Sequence, residues 1–132
     1  MTVQLAMIAH DRLKDDLVGW ARANLPALAR HEIVATRTTG TLLRDTFGDA
    51  LRIETVLSGP QGGDQQIGAR IAEGQVNALI FLVDPLSPHP HDVDVKALLR
   101  LATLHSLPSA YNLATADAVL CAVSIGRTTR SV

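Results

Sequence analysis

Three short segments of the sequence carry the hydroxyl, glycine and ionisable residues that commonly bind anions. His10 and Asp11 lie a few positions before Lys14. Thr36–Gly40 holds three threonines and a glycine, and Ser58–Asp64 holds a serine, three glycines and an aspartate. Hydroxyls and the backbone N–H groups of a helix start favour bound negative charge. Together the segments predict a site for a single phosphate group, unless Thr38 only caps a helix and Lys14 is solvated.

Asp64 and His91 are the candidate groups for acid–base chemistry. A carboxylate at a Gly-Gly turn beside an anion site can act as a general base, although Asp64 could instead serve only as a helix N-cap. His91 lies in the segment His89–Asp94, and an imidazole beside aspartates is suited to a general acid, base or electrophile. Asp84 opens the loop that leads to this segment.

Other kinds of site are excluded or disfavoured by the sequence. The patterns G-x-x-x-x-G-K-[ST], G-x-G-x-x-G and G-x-S-x-G are absent, which excludes a P-loop, a dinucleotide fingerprint and a nucleophile elbow. Cys121 is the one cysteine, which excludes a disulfide framework and a cysteine-based zinc site. His89–Asp94 has no recognisable set of metal-binding partners elsewhere, so we predict no metal.

Composition limits the partners and the compartment. The 132 residues are 47% hydrophobic, and 12 basic against 13 acidic residues leave a net charge of −1. This charge provides no field for gathering nucleic acid or an anionic membrane. The apolar run Leu5–Ala9 is too short for a signal sequence or a spanning helix. We therefore expect a single domain, residues 1–132, in the cytoplasm, with no nucleic-acid or membrane partner.

Short apolar runs alternate with longer helical patterns along the chain. The predicted strands are Val3–Ala9, Ile33–Thr36, Arg52–Leu57, Ala78–Val83 and Ser109–Tyr111. The predicted helices are Asp11–Leu25, Leu42–Phe47, Asp64–Glu73, Val93–Leu104 and Ala114–Val123.

This alternation predicts one doubly wound α/β domain, with a five-stranded, mainly parallel sheet flanked by helices. Ligands bind beyond the carboxyl ends of the strands in such a sheet. The anion-binding and acid–base segments each follow a predicted strand, so they should meet at this edge.

The longer motifs resemble those of the methylglyoxal synthase family. The matches run in register from about residue 8 to residue 117 and include long, distinctive strings. The matching segments are IAHD at Ile8–Asp11, AT-x-TTG at Ala35–Gly40, LSGP-x-GGDQQIGA at Leu57–Ala69, IF-x-x-DPL at Ile80–Leu86, PHD-x-DVKALLRLA at Pro90–Ala102 and N-x-ATAD at Asn112–Asp117.

The resemblance implies a single-domain α/β enzyme that assembles as a homohexamer. It implies conversion of dihydroxyacetone phosphate to methylglyoxal and inorganic phosphate, with no metal or organic cofactor. Inorganic phosphate would be the product and could also be an inhibitor, which the sequence leaves open. The rival interpretation is a non-catalytic, allosteric-type module of the same fold that binds a phosphate ligand.

The family's functional residues carry over by position. Asp64 would be the base that takes a proton from the carbon next to the carbonyl, and His91 would hydrogen-bond to the carbonyl and enediolate oxygens. His10 would line the substrate site. The residues that bind the phosphate would be Lys14, Thr36, Thr38, Thr39, Ser58 and Gly59. The carboxylates that orient His91 and Asp64 would be Asp11, Asp84 and Asp94. Asp94 would also count as a catalytic residue.

Two departures from the family pattern concern arginines. Arg37 stands where the family usually has glycine, and it could contact phosphate or point to solvent. Family members can use a C-terminal arginine to reach a neighbouring subunit's phosphate. Arg127 and Arg130 are the candidates, but neither aligns with the family pattern.

Overall fold

A parallel five-stranded sheet forms the centre of the computed structural model, which describes residues 4–87 and 92–125. The strand order is β3-β2-β1-β4-β5, and every neighbouring pair is parallel. The strands are Gln4–Ala9 (β1), Glu32–Ala35 (β2), Arg52–Thr55 (β3), Ala78–Leu82 (β4) and Ser109–Ala110 (β5). The predicted doubly wound α/β fold class is confirmed.

Six helices flank the sheet in the described residues. They are Lys14–Ala23 (α1), Leu25–Leu28 (α2), Arg37–Phe47 (α3), Gly63–Ala72 (α4), Asp92–Leu104 (α5) and Leu113–Ser124 (α6). The first predicted helix, Asp11–Leu25, is divided: it opens as a 3-10 turn at Asp11–Leu13, and α1 ends before Pro26, which lies in the first turn of α2. Within the described residues no helix has the length and apolarity needed to cross a membrane.

The two central strands are apolar on both faces because helices cover both sides of the sheet. Leu5, Met7 and Ile80 pack on the side of α1, α2, α3 and α6. Ala6 and Phe81, at the alternate positions, pack on the side of α4 and α5. Continuous apolar strands are typical of such doubly covered parallel sheets, and all five residues of β4 are buried as predicted.

α3 begins at Arg37, five positions before the helix predicted from Leu42. Threonine and glycine are weak helix formers, so Thr38–Gly40 resembles a loop in sequence. Tertiary packing overrides this preference. Thr39 is buried, and a Cβ at Gly40 would lie only 2.4 Å from the Cγ2 of Thr55 on β3. Glycine therefore lets the first turn of α3 pack closely against the sheet.

Arginine side chains cover the edge strand β3. Arg44 of α3 donates a hydrogen bond to the backbone carbonyl of Ile53. Arg70 of α4 forms two hydrogen bonds to the carboxylate of Glu54, and this pairing lowers the pKa of Glu54 below its ordinary value. Helices from both faces of the sheet thus hold its outer strand.

The turn before α4 requires glycine for two different reasons. Gly62 has a φ of 111°, in the left-handed region that disfavours side chains. At Gly63 a Cβ would lie 1.9 Å from the backbone oxygen of Leu57, so the obstacle there is backbone and not a side chain that can move.

The substitution Gly63→Ala should therefore lower the free energy of unfolding by at least about 2 kcal/mol, because the backbone of two segments must separate. Gly19→Ala in α1 is the matched control, since no atom lies within 4 Å of its added Cβ. It should raise stability by up to about 1 kcal/mol. Urea unfolding of both variants tests this, and equal effects would contradict the packing argument.

His31, in the connection that precedes β2, should make stability depend on pH. Its burial lowers the pKa of the imidazole, and the charges of Arg30 and Arg52 lower it further. The unfolded chain consequently binds a proton at a higher pH than the folded chain, so stability should be lost as the pH falls below about 6.5. Urea midpoints near pH 7.5 and pH 5.5 should differ more for the wild type than for His31→Gln, and an equal difference would contradict this assignment.

Candidate active site

A cleft of about 320 Å³ lies at the carboxyl edge of the sheet. β1 leads to α1 on one face and β4 leads to α5 on the other, so the loops after these neighbouring strands diverge and leave a crevice. Its polar and charged side chains come from the ends of β1, β2 and β4 and the start of α4. They are His10, Asp11, Arg12, Lys14, Thr36, Thr38, Asp64, Asp84 and Ser87.

The start of α3 forms one wall of the cleft. Thr36 is the N-cap residue, and its hydroxyl donates to the hydroxyl oxygen of Thr39 at 3.4 Å. Thr39 also accepts the backbone N–H of Ala9 at 3.3 Å, so its hydroxyl ties α3 to β1. Thr38 faces the cleft, where the first-turn N–H groups of a helix have no carbonyl within the helix to bind. This wall can hold an anion through hydroxyls and backbone N–H groups.

Lys14 brings an ammonium group to the same cleft and is held there by two acceptors. Its Nζ donates to the backbone oxygen of Ala9 at 2.9 Å and to Oδ1 of Asp11 at 2.7 Å. The hydrogen bond from Lys14 and the positive charge of Lys14 both lower the pKa of Asp11 below its ordinary value. The ammonium is thus fixed in place at the cost of partial neutralisation by a carboxylate.

The segment Ser58–Gly63 sets a backbone turn against the carboxylate of Asp64. The Ser58 carbonyl accepts the N–H groups of Gln61 at 3.0 Å and Gly63 at 2.8 Å, which close the turn. A Cβ at Gly59 would lie 3.4 Å from Oδ1 of Asp64, so the glycine backbone lies directly beside this carboxylate. Gly59 lines the cleft, whereas Ser58 is not one of its lining residues.

Asp64 is buried in the first turn of α4, where the helix dipole stabilises a carboxylate. The N-cap of this helix is Gly62, so the interpretation of Asp64 as only an N-cap is wrong. The two glutamines that follow Asp64 in the string GGDQQ also make defined hydrogen bonds. Gln65 donates to Oδ1 of Asp94 at 2.6 Å, and the side-chain oxygen of Gln66 accepts the backbone N–H of Leu57 at 2.7 Å.

Asp94 does not line the main cleft. It lies near the start of α5 and borders a second, largely apolar cavity of about 300 Å³ between α4 and α5. Asp64 borders both cavities. The structure therefore brings Asp94 close to the helix that carries Asp64, through Gln65.

His10 is oriented by the strand next to its own. Its Nδ1 accepts the backbone N–H of Asp84 at 3.0 Å, and its ring meets Phe81 edge-on with centroids 5.3 Å apart. A backbone amide can only donate, so Nδ1 carries no proton and the neutral ring holds its proton on Nε2. The Asp84 carboxylate accepts from the N–H of Leu86 at 3.0 Å and from the hydroxyl of Ser87 at 2.7 Å.

The structure gathers most of the residues that the sequence singles out. Those that line the cleft are His10, Asp11, Lys14, Thr36, Thr38, Gly59, Asp64 and Asp84, while Thr39, Ser58 and Asp94 contact the elements that form it. The Arg37 side chain is exposed and does not line the cleft. His91, Arg127 and Arg130 lie outside the described residues. Over 4–87 and 92–125 no three His, Cys, Asp or Glu side chains form a metal-binding group.

Sequence reasoning missed several residues of the cleft, notably Arg12 and Ser87. Arg12 lies only two positions after His10, directly beyond the end of β1. This position is the one feature of the sequence that could have predicted Arg12 as a cleft residue. The signal is weak because the side chain of a residue in a turn can point in any direction until the backbone is known.

Comparison of the sequence with known proteins identifies its relatives. The family model described as the MGS-like domain matches residues 16–111. A methylglyoxal synthase from Oleidesulfovibrio alaskensis is 59% identical over 113 residues, which cover 86% of this chain and 76% of that protein. The methylglyoxal synthase of Brucella ovis is 57% identical over 121 residues, with 92% and 96% covered.

Solved structures show the same likeness. The crystal structure of methylglyoxal synthase from Elizabethkingia anophelis matches with a TM-score of 0.84 and 44% identity, covering 90% of this chain and 77% of that one. ForH shares the fold alone, at a TM-score of 0.59 and 19% identity over 96% and 82% of the two chains. The fold and the cleft define an MGS-like domain. The chain belongs to the methylglyoxal synthase family, a family of carbon–oxygen lyases, as its motifs predicted.

The His10 contact predicts a single imidazole tautomer. Nitrogen-15 NMR of the histidine rings at neutral pH should show an unprotonated Nδ1 and a protonated Nε2 for His10, because the Asp84 amide occupies Nδ1. The exposed His105 provides a solvated reference in the same spectrum. A proton on Nδ1 of His10 would contradict the assignment.

Proposed function

We propose that this protein converts dihydroxyacetone phosphate to methylglyoxal and inorganic phosphate. The observation that carries the proposal is the cleft itself, which joins the helix-start wall of Thr36 and Thr38 to the buried carboxylate of Asp64 and the imidazole of His10. Such a cleft can hold a phosphate at one end and carry out proton transfer at the other.

The phosphate is bound by hydroxyls, backbone N–H groups and one ammonium. Thr36, Thr38 and Gly59 offer the first two, and Lys14 supplies the charge. Thr39 and Ser58 support this set: Thr39 holds α3 against β1 through Ala9, and the Ser58 carbonyl closes the turn that carries Gly59. The hydroxyls, backbone N–H groups and ammonium stabilise the phosphate as it leaves, because its negative charge is already paired with these donors.

Asp64 removes a proton from the hydroxymethyl carbon beside the carbonyl and leaves an enediolate. The resemblance assigns His91 to the carbonyl oxygen, and the neutral Nε2–H of His10 is a further donor for the substrate oxygens. Donors that meet developing charge typically speed such steps by about 10²–10³ each. Asp84 positions His10 through its backbone N–H, and Asp94, held by Gln65, supports the catalytic pair of Asp64 and His91.

Phosphate then leaves from the neighbouring carbon. The hydroxyl proton of the enediolate is lost, its oxygen becomes the aldehyde, and the double bond shifts as the C–O bond to phosphate breaks. The resulting enolate takes a proton on its terminal carbon and becomes methylglyoxal. Elimination requires the C–O bond to stand perpendicular to the enediolate plane, and a phosphate held by several donors maintains that torsion. If the bond lay in the plane, the proton would return and the reaction would be an isomerisation.

We further propose that the protein is a cytoplasmic homohexamer and that inorganic phosphate inhibits it by occupying the same cleft. The family resemblance supports the hexamer, and the anion-binding wall supports inhibition by product. Light scattering of the pure protein gives the assembly mass directly, and a monomeric mass would contradict the hexamer.

The decisive variant is Asp64→Asn. It keeps the shape of the side chain but removes the base, so kcat should fall by at least about 10³. Turnover is measured by trapping the dicarbonyl product and by following phosphate release from dihydroxyacetone phosphate. Asp45→Asn, an exposed aspartate on α3, is the matched control and should keep full activity.

Three outcomes would contradict the proposal. Near-normal turnover by Asp64→Asn would exclude Asp64 as the base. Glyceraldehyde 3-phosphate as the product would indicate an isomerase. Phosphate binding by the wild type without any turnover would favour the non-catalytic phosphate-binding module.

A further inference from the structure

The charged side chains that line the cleft do not by themselves favour a dianion. The described lining contains two cations and three carboxylates, namely Arg12, Lys14, Asp11, Asp64 and Asp84. With His10 neutral, their formal sum is −1. A phosphate dianion in this cleft therefore depends on how each cation is already engaged.

Lys14 is strongly engaged. Two of its three N–H groups donate to Ala9 and Asp11, and its side chain is only 16% exposed. Its charge is compensated by Asp11 at 2.7 Å. One N–H of the ammonium remains to meet a phosphate oxygen.

Arg12 is engaged only loosely. Its Nη1 lies 3.7 Å from Oδ2 of Asp84, beyond hydrogen-bond distance, and its side chain is 68% exposed. Over the described residues this is its one ion pair. The Asp84 side chain is buried, but the Arg12 guanidinium is exposed to water and forms no hydrogen bond with it at this separation, so the guanidinium can leave the ion pair readily.

Asp84 does not depend on Arg12 either. Its two carboxylate oxygens already accept the N–H of Leu86 and the hydroxyl of Ser87. If Arg12 moved away, the carboxylate would keep both of these partners. Exchange of Arg12 from Asp84 to another anion would therefore leave no carboxylate stranded.

We propose that Arg12 is a further substrate-binding residue, which leaves Asp84 and binds the phosphate dianion at the mouth of the cleft. The inference rests on the proposed function. A guanidinium presents paired N–H donors that match the geometry of phosphate oxygens, and its charge stays in place at any working pH. Arg12 lies within the 3-10 turn Asp11–Leu13 and Lys14 directly follows it, so both reach the cleft from one segment.

Arg12 binds a part of the substrate that carries its charge before and during the reaction. Its removal should therefore raise KM and weaken phosphate binding while kcat changes little. The opposite pattern, a lower kcat at unchanged phosphate affinity, belongs to a residue that only positions the Asp84 loop.

The test measures the dissociation constant of inorganic phosphate by calorimetry, together with kcat and KM for dihydroxyacetone phosphate. Arg12→Ala should weaken phosphate binding about 10- to 100-fold, the effect of losing a charged hydrogen-bond donor. Arg12→Lys should keep part of the affinity, since it retains the charge but not the paired donors. All variants are first checked for an unchanged thermal unfolding midpoint.

Arg37→Ala is the matched control. It removes the same charge from the same edge of the sheet, but its side chain does not line the cleft. Phosphate affinity should change much less than for Arg12→Ala, because the exposed Arg37 side chain does not line the cleft and can act only through a salt-screened field. This control separates contact by Arg12 from the general field of a cation.

The result that would overturn the inference is equal phosphate affinity for Arg12→Ala and Arg37→Ala, or a kcat defect for Arg12→Ala without weaker binding. In both cases the wild type still makes methylglyoxal, so the proposed function survives. If the wild type binds phosphate through Arg12 but releases no methylglyoxal, the proposed function fails while the Arg12 contact stands.

Discussion

The parallel pairing of β1 with β4 is the constraint on which the whole cleft depends. Ala9 lies opposite Leu82, and beyond that pair the ladder continues: His10 N–H donates to the Leu82 carbonyl at 3.1 Å, and Asp84 N–H donates to the His10 ring at 3.0 Å. An imidazole thus takes the place of the next backbone acceptor. A slip of one residue would turn every side chain of β1 to the other face and remove this contact.

The same parallel arrangement explains how a domain of net charge −1 can hold an anion. Strands that run in one direction deliver the starts of the following helices to one edge, and α3 and α4 both begin at the cleft. Their N-terminal dipoles and hydroxyls act over short distances, where a few donors outweigh the overall charge. The groups that can hold an anion are therefore local donors, and the overall charge of the chain does not have to be positive.

Sequence predicted the sheet and most of the cleft because these depend on local patterns. The apolar run Ala78–Leu82 and the glycines before Asp64 both have local physical causes, namely burial on two faces and a tight turn. The start of α3 and the position of Arg12 in the cleft were beyond such reasoning. The first turn of α3 can pack at Gly40 because no Cβ there meets Thr55 on another strand, and Arg12 lines the cleft beside Asp84, which lies 72 positions further along the chain.

The covered edge of the sheet limits how copies of this chain can associate. An uncovered edge strand offers backbone groups to which a second chain can add a strand. On β3, Arg44 already occupies the Ile53 carbonyl, and the Arg70–Glu54 pair places charge alongside it. At the opposite edge β5 is only two residues long. Growth of the sheet into a continuous intermolecular array is thereby opposed at both ends, and self-association is directed to helices and loops.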